Sequence, residues 1–144
     1  MQLKVKAIHE STRAKKIQYA TEGSAGLDLI AAIDASITLK SQETIIVPSG
    51  VCIELPSGYE AQVRPRSGLS SKGILVVVGT IDSDYRGEIG VIVSNISKND
   101  FEICPGMRIA QMVVARYETA SLEYVEDLTQ TKRNQSGFGS TGLF

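Results

Sequence analysis

The chain has 144 residues, 42% of them hydrophobic, and fifteen basic against sixteen acidic side chains leave a net charge of −1. That length suits one domain with a real core, and no apolar run approaches the ~18 residues of a membrane-spanning helix. The balanced charge, with no long basic stretch, argues against a nucleic-acid polymer as main partner. Met1-Gln2-Leu3-Lys4-Val5-Lys6 alternates lysine with apolar residues and lacks the apolar core of a signal peptide. A cytoplasmic protein is expected, or a nuclear or organellar one in a eukaryote.

Residues 4–8 alternate and predict a strand, and the polar, mixed run 14–24 predicts a loop. Short strands are expected at 27–30, 36–40, 44–47 and 51–55, with breakers at Pro48-Ser49-Gly50 and Pro56-Ser57-Gly58, then another strand at 59–63. One or two helical turns around 67–72 are the best helix signal. The apolar runs 74–78 and 89–93 enclose the polar segment 79–88, which predicts strand, turn, strand. Candidates at 101–104, 108–117 and 122–125 bring the count to roughly ten strands. The fold class is therefore all-β: a sandwich, barrel or jelly roll. From Thr129 the sequence is polar and glycine-rich with no period, so residues 1–128 form the domain and 129–144 a mobile C-terminal arm.

Cys52 and Cys104 lie in apolar strand-like segments outside any C-x-x-C pattern and are expected as small core residues in a reducing compartment. His9 is the only histidine, which removes His-rich zinc sites and makes a Ser-His-Asp triad improbable.

Five segments carry chemistry. In Gly79-Thr80-Ile81-Asp82-Ser83-Asp84-Tyr85-Arg86-Gly87-Glu88, a carboxylate on a rigid base can orient and deprotonate a water, and a tyrosine ring can lie against a sugar. The plainer alternative is a polar hairpin tip. Arg64-Pro65-Arg66-Ser67-Gly68-Leu69-Ser70-Ser71-Lys72-Gly73 presents arginines and N–H groups at a strand-to-helix turn suited to an anion, or is a solvated basic turn. Asp28, inside Leu27-Asp28-Leu29, needs a partner: an arginine, or the water shell of a metal. Gln111 is a neutral amide in an apolar strand, plainly read as an edge position facing water. Gly137-Phe138-Gly139-Ser140-Thr141-Gly142 fits G-x-G-x-x-G, but only Leu143 and Phe144 follow, so it is no dinucleotide fingerprint. Its N–H groups and hydroxyls still suit phosphate, Arg133 adds a bidentate fork, and Phe138 can stack on a base.

Ala25-Gly26-Leu27-Asp28-Leu29, Pro65-Arg66-Ser67-Gly68-Leu69, the 79–87 segment, Gly106-Met107-Arg108-Ile109-Ala110-Gln111 and residues 133–142 resemble, in order, the five motifs of the trimeric deoxyuridine triphosphatases (dUTPases). Asn134 and Ser136 depart from the last motif, where glycine is expected. The resemblance implies a jelly-roll homotrimer with active sites shared between subunits, hydrolysing dUTP to dUMP and pyrophosphate with Mg²⁺. It implies that Asp82 activates the attacking water and that Tyr85 packs under the deoxyribose. The backbone of Val76, Val77, Val78 and Gly79 would read uracil in a narrow β-hairpin. Arg66, Ser67 and Gln111 would hold the phosphates. Arg133, Ser140 and Thr141 would close from a neighbouring subunit, Phe138 would cover the base, and Asp28 would contact the Mg²⁺ water shell. Gly68, Ile81 and Gly139 fall among the substrate-contacting positions. Alternatives are the related dCTP deaminase and a non-catalytic nucleotide-binding β-sandwich.

Overall fold

A computed structural model describes residues 1–135. Alternation of buried and exposed side chains is what makes the strands: in β6 (Tyr59–Arg64), Ala61 and Val63 are buried while Arg64 is exposed. The same holds in β9 (Gly90–Asn95), where Val91, Val93 and Asn95 point inward. One four-stranded sheet has the order β2-β11-β6-β8, with β2 at Leu27–Ile30, β8 at Gly79–Ile81 and β11 at Arg108–Arg116. A three-stranded sheet has the order β4-β9-β7, with β4 at Thr44–Pro48 and β7 at Ile74–Val76. Two antiparallel pairs complete the sandwich, β1 (Lys4–Ala7) with β5 (Val51–Glu54) and β3 (Ile37–Leu39) with β10 (Phe101–Ile103). Leu29, Val63, Ile109 and Met112 from one sheet meet Val47, Ile74, Val91 and Val93 from the other in a single buried cluster. The result is the expected all-β, jelly-roll-like sandwich.

Two helices interrupt it. The short helix expected near 67–72 is α2, Ser67–Ser70. The other, α1 at Glu10–Ala14, was not expected. His9 caps it, its Nδ1 accepting from Ser11 N–H at 3.3 Å, in place of the usual Ser, Thr, Asp or Asn.

Other expectations need correction. Residues 122–125 form no strand; Leu122, Tyr124 and Val125 are exposed, and alternation without a partner strand leaves backbone unpaired. β8 was hidden inside the polar segment 79–88. Cys52 and Cys104 are free and half-buried, outside the core. Within the expected arm, residues 129–135 are exposed, and 136–144 lie outside the described residues. Asn134 adopts φ 45°, in the left-handed region that glycine favours, and its N–H donates to Thr131 Oγ1 at 3.0 Å. Asparagine tolerates that region, so it reproduces the backbone a glycine would give there.

Candidate active site

β11 lies between β2 and β6, and its register sets Asp28, Gln111 and Arg64 opposite one another in one row. Gln111 is therefore on a central strand, so the plainer alternative for it, an edge position facing water, does not hold. Facing neighbours share a side of the sheet. On that side a cavity of about 760 Å³ is lined by Asp28, Arg66, Ser67, Gly68, Arg108 and Gln111, among others. Asp28 has the partners its position demanded: Oδ1 is 3.1 Å from Arg66 Nε, and Oδ2 accepts from Arg108 Nη1 at 3.2 Å. Arg66 also donates through Nη1 to the Arg108 carbonyl at 3.0 Å.

Gln111 Nε2 donates to the Pro65 carbonyl at 2.9 Å, which ties β11 to the turn carrying Arg66. Its side chain lies directly over Gly26, where a Cβ would collide with Oε1. Gly26 is thus required by close approach. Ser67 and Gly68 head α2, whose cap residue Arg66 supplies no side-chain capping bond. The first-turn N–H groups of a helix have no intrahelical partner. The cavity accordingly combines guanidiniums, an amide, a hydroxyl and backbone N–H groups, a donor set fitted to phosphate oxygens.

Asp82 and Tyr85 lie elsewhere. They line a smaller hollow of about 140 Å³ with Thr80, Ile81, Glu88 and Gly90, and it shares no lining residue with the larger cavity. Asp82 is exposed, one residue beyond the pairing of Ile81 with Ala61, hence level with Glu60. Gln111 faces Arg64, four residues further along β6 and two strands across from β8. At ~3.3 Å per residue and ~4.8 Å per strand, the two Cα positions are roughly 16 Å apart.

The loop around Asp82 is held by its own atoms. Tyr85 N–H donates to Asp82 O at 3.1 Å, and Arg86 Nη1 donates to Ser83 O at 2.6 Å and Tyr85 O at 2.9 Å. The Tyr85 ring folds back over Gly87, where a Cβ would strike it, and its hydroxyl donates to Glu88 O at 3.0 Å. Glu88 Oε1 in turn accepts from Gly50 N–H at 2.7 Å, fastening the loop to the turn between β4 and β5. Tyr85 as a whole remains 44% exposed.

Val76 ends β7, Val77 and Val78 are exposed, and Gly79 begins β8. β7 and β8 are not paired with each other: β7 pairs with β9 and β8 with β6. The chain instead crosses from one sheet to the other at Val77 and Val78. Arg133 is exposed near the end of the described residues; Phe138, Gly139, Ser140 and Thr141 lie beyond them. Arg108, Gly26, Gly87 and Glu88 shape the two hollows without having been singled out. Regular alternation would put residues 108 and 111 on opposite faces, yet Arg108 reaches Asp28 on the Gln111 side.

The dUTPase family model matches residues 12–142. The deoxyuridine 5'-triphosphate nucleotidohydrolase of Orientia tsutsugamushi (strain Boryong) is 52% identical over 147 residues, covering 99% of each chain. That of Neorickettsia sennetsu (strain ATCC VR-367 / Miyayama) is 56% identical over 128 residues, 87% of this chain and 86% of its own. Among solved structures, the dUTPase of Staphylococcus bacteriophage 80alpha with dUPNHPP superposes with a TM-score of 0.90 at 27% identity, covering 99% of both chains. The chain belongs to the dUTPase family, and its reaction is the hydrolysis of dUTP to dUMP and pyrophosphate.

Proposed function

We propose that the phosphate-binding cavity of one copy and the Asp82 loop of another together form each active site of a homotrimer. The supporting observation is their separation: within one chain the water-activating carboxylate and the phosphate donors open into different hollows. The self-supported loop is suited to being presented to a neighbouring copy. dUPNHPP, the dUTP analogue seen with the phage 80alpha enzyme, marks the ligand class.

In this site Asp82 orients and deprotonates water for in-line attack at the α-phosphorus. Arg66, Ser67, Gly68 and Gln111 hold the triphosphate, and positioned cations and N–H groups stabilise charge on the departing pyrophosphate. Tyr85 lies under the deoxyribose and leaves no room for a 2′-hydroxyl, with Ile81 beside it. The crossing at Val76, Val77, Val78 and Gly79, exposed at Val77 and Val78, reads the uracil edge. Arg133, Phe138, Gly139, Ser140 and Thr141 close over base and phosphates from an arm comprising residues 129–144, leaving residues 1–128 as the folded domain.

The family is generally Mg²⁺-dependent. The residues present fit Mg²⁺ held chiefly by phosphate oxygens and waters, because the cavity is lined by two carboxylates only, Asp28, whose oxygens already face arginines, and the exposed Glu102. Among the described residues no group of three or more His, Cys, Asp or Glu is placed to hold a metal. Asp28 would therefore touch the ion's water shell, and the ion would supply charge neutralisation on the phosphates.

The test is complementation. Asp82→Asn retains an intact cavity, and Arg66→Ala retains an intact loop. Each alone should be nearly inactive, and unfolding and refolding them together should restore part of the activity through mixed sites. No recovery in verified mixed trimers would put each site within one chain.

A further inference from the structure

The register of β11 against β2 breaks once. Gln111 faces Asp28 and Ala110 faces Leu29, but Arg108 rather than Ile109 faces Ile30. One residue of β11 is extra at that point, a β-bulge. With unbroken alternation residues 109 and 111 would share the Asp28 face, and residue 108 would point into the core. The bulge lets Ile109 and Ala110 both be buried and turns Arg108 out onto the face of Asp28. An irregular strand thus delivers a second guanidinium to a carboxylate that already has one.

We infer that Arg108 is a positioning residue: it holds Asp28 through Oδ2 so that Arg66 can exchange Asp28 Oδ1 for a phosphate oxygen when the triphosphate enters. This rests on the reading of the cavity as the triphosphate site. The two arginines differ in what they can give up. Arg66 projects from the turn before α2 beside Ser67 and Gly68, and its Nη1 bond to the Arg108 carbonyl anchors the guanidinium while Nε turns away. The bulge sets where Arg108 leaves β11, and its half-exposed guanidinium reaches Asp28 Oδ2 from there. Without it, Asp28 would have Arg66 as its one cationic partner and would compete with phosphate for it.

The inference predicts coupling between residues 108 and 28. Arg108→Met should weaken dUPNHPP binding by calorimetry about tenfold in the wild-type background, within the span seen for members of one ion-pair network. Arg108→Lys should recover part of the loss. In an Asp28→Asn background, which has no charge to hold, Arg108→Met should cost less than about twofold. Equal losses in both backgrounds would mean that Arg108 contacts the phosphates itself or only supports the strand, and would overturn the inference. If the variants fold poorly or bind too weakly, guanidinium ¹⁵N spectra of the unaltered protein decide. Adding dUPNHPP should then shift Arg66 Nε and leave Arg108 in place, and an unmoved Arg66 would equally overturn the exchange. Failure of the unaltered protein to bind dUPNHPP at all would instead remove the triphosphate reading beneath it.

Discussion

The cavity beside α2 and the Asp82 loop are both polar, and they are made rigid in opposite ways. The cavity is assembled across distant parts of the chain: β2 contributes Asp28, the turn before α2 contributes Arg66, and β11 contributes Arg108 and Gln111. The loop is assembled from consecutive residues that bond one another, with one tether to Gly50. A cavity of the first kind is as precise as the sheet register. A loop of the second kind keeps its shape wherever its base is carried, as a group offered to another subunit requires.

The largest expected effect breaks the chemistry and spares both structures. Asp82→Asn should lower kcat by roughly 10²–10⁴, the span for losing a general base, while dUPNHPP still binds. In ¹⁸O-labelled water under single turnover, the label from the unaltered enzyme should enter dUMP; label in pyrophosphate would remove Asp82 from its role.

Two glycines sharpen the contrast. Gly26→Ala should push Gln111 off its place and lower kcat/KM for dUTP on the order of a hundredfold, since a misplacement of ~1 Å can cost that much. Gly87→Ala should displace the Tyr85 ring and narrow the ratio of kcat/KM for dUTP over UTP, by an amount on the order of tenfold. If the two alanines gave the same substrate profile, the division of labour between cavity and loop would be wrong.

The smallest effect concerns Glu54. Its carboxyl is held below the ordinary value of 4.5 by a hydrogen bond and charge from Lys4, with a lesser contribution from Arg86 of the loop. A lowered carboxyl contributes stability that is present above its ordinary value and is lost as pH falls through the lowered one. Lys4→Met should return the Glu54 midpoint toward 4.5 in a ¹³C NMR titration, and Arg86→Met should move it less. The reverse order would tie the loop to β5 more tightly than the ion pair does.

Most of the sandwich was legible because period-two alternation survives wherever one strand face is buried, as in β6 and β9. What was hidden involved a partner or a break in period. Residues 122–125 alternate like a strand, yet pairing needs a neighbour that alternation cannot supply. Gln111 in an apolar strand looked like an edge, because sequence does not say that β2 and β6 flank it. The bulge is invisible in Arg108-Ile109-Ala110, where two adjacent apolar residues carry no mark of an extra one. α1 escaped notice because a histidine caps it. The roles of Asp82, Tyr85 and the arm came from motif order, while the partners of Asp28 followed from the cost of a lone carboxylate in an apolar strand.

The passage of the chain between sheets at Val77 and Val78 makes this short stretch a gauge of how the two layers sit on each other. β7 is hydrogen-bonded into one layer and β8 into the other, with only two residues of slack between them. The layers cannot slide without bending that stretch, so under the proposed reading, in which Val76 to Gly79 meets the base, selectivity is tied to packing between the layers. A core change such as Val91→Ala, buried between the layers, should then be felt as altered discrimination between bases before it is felt as lost turnover.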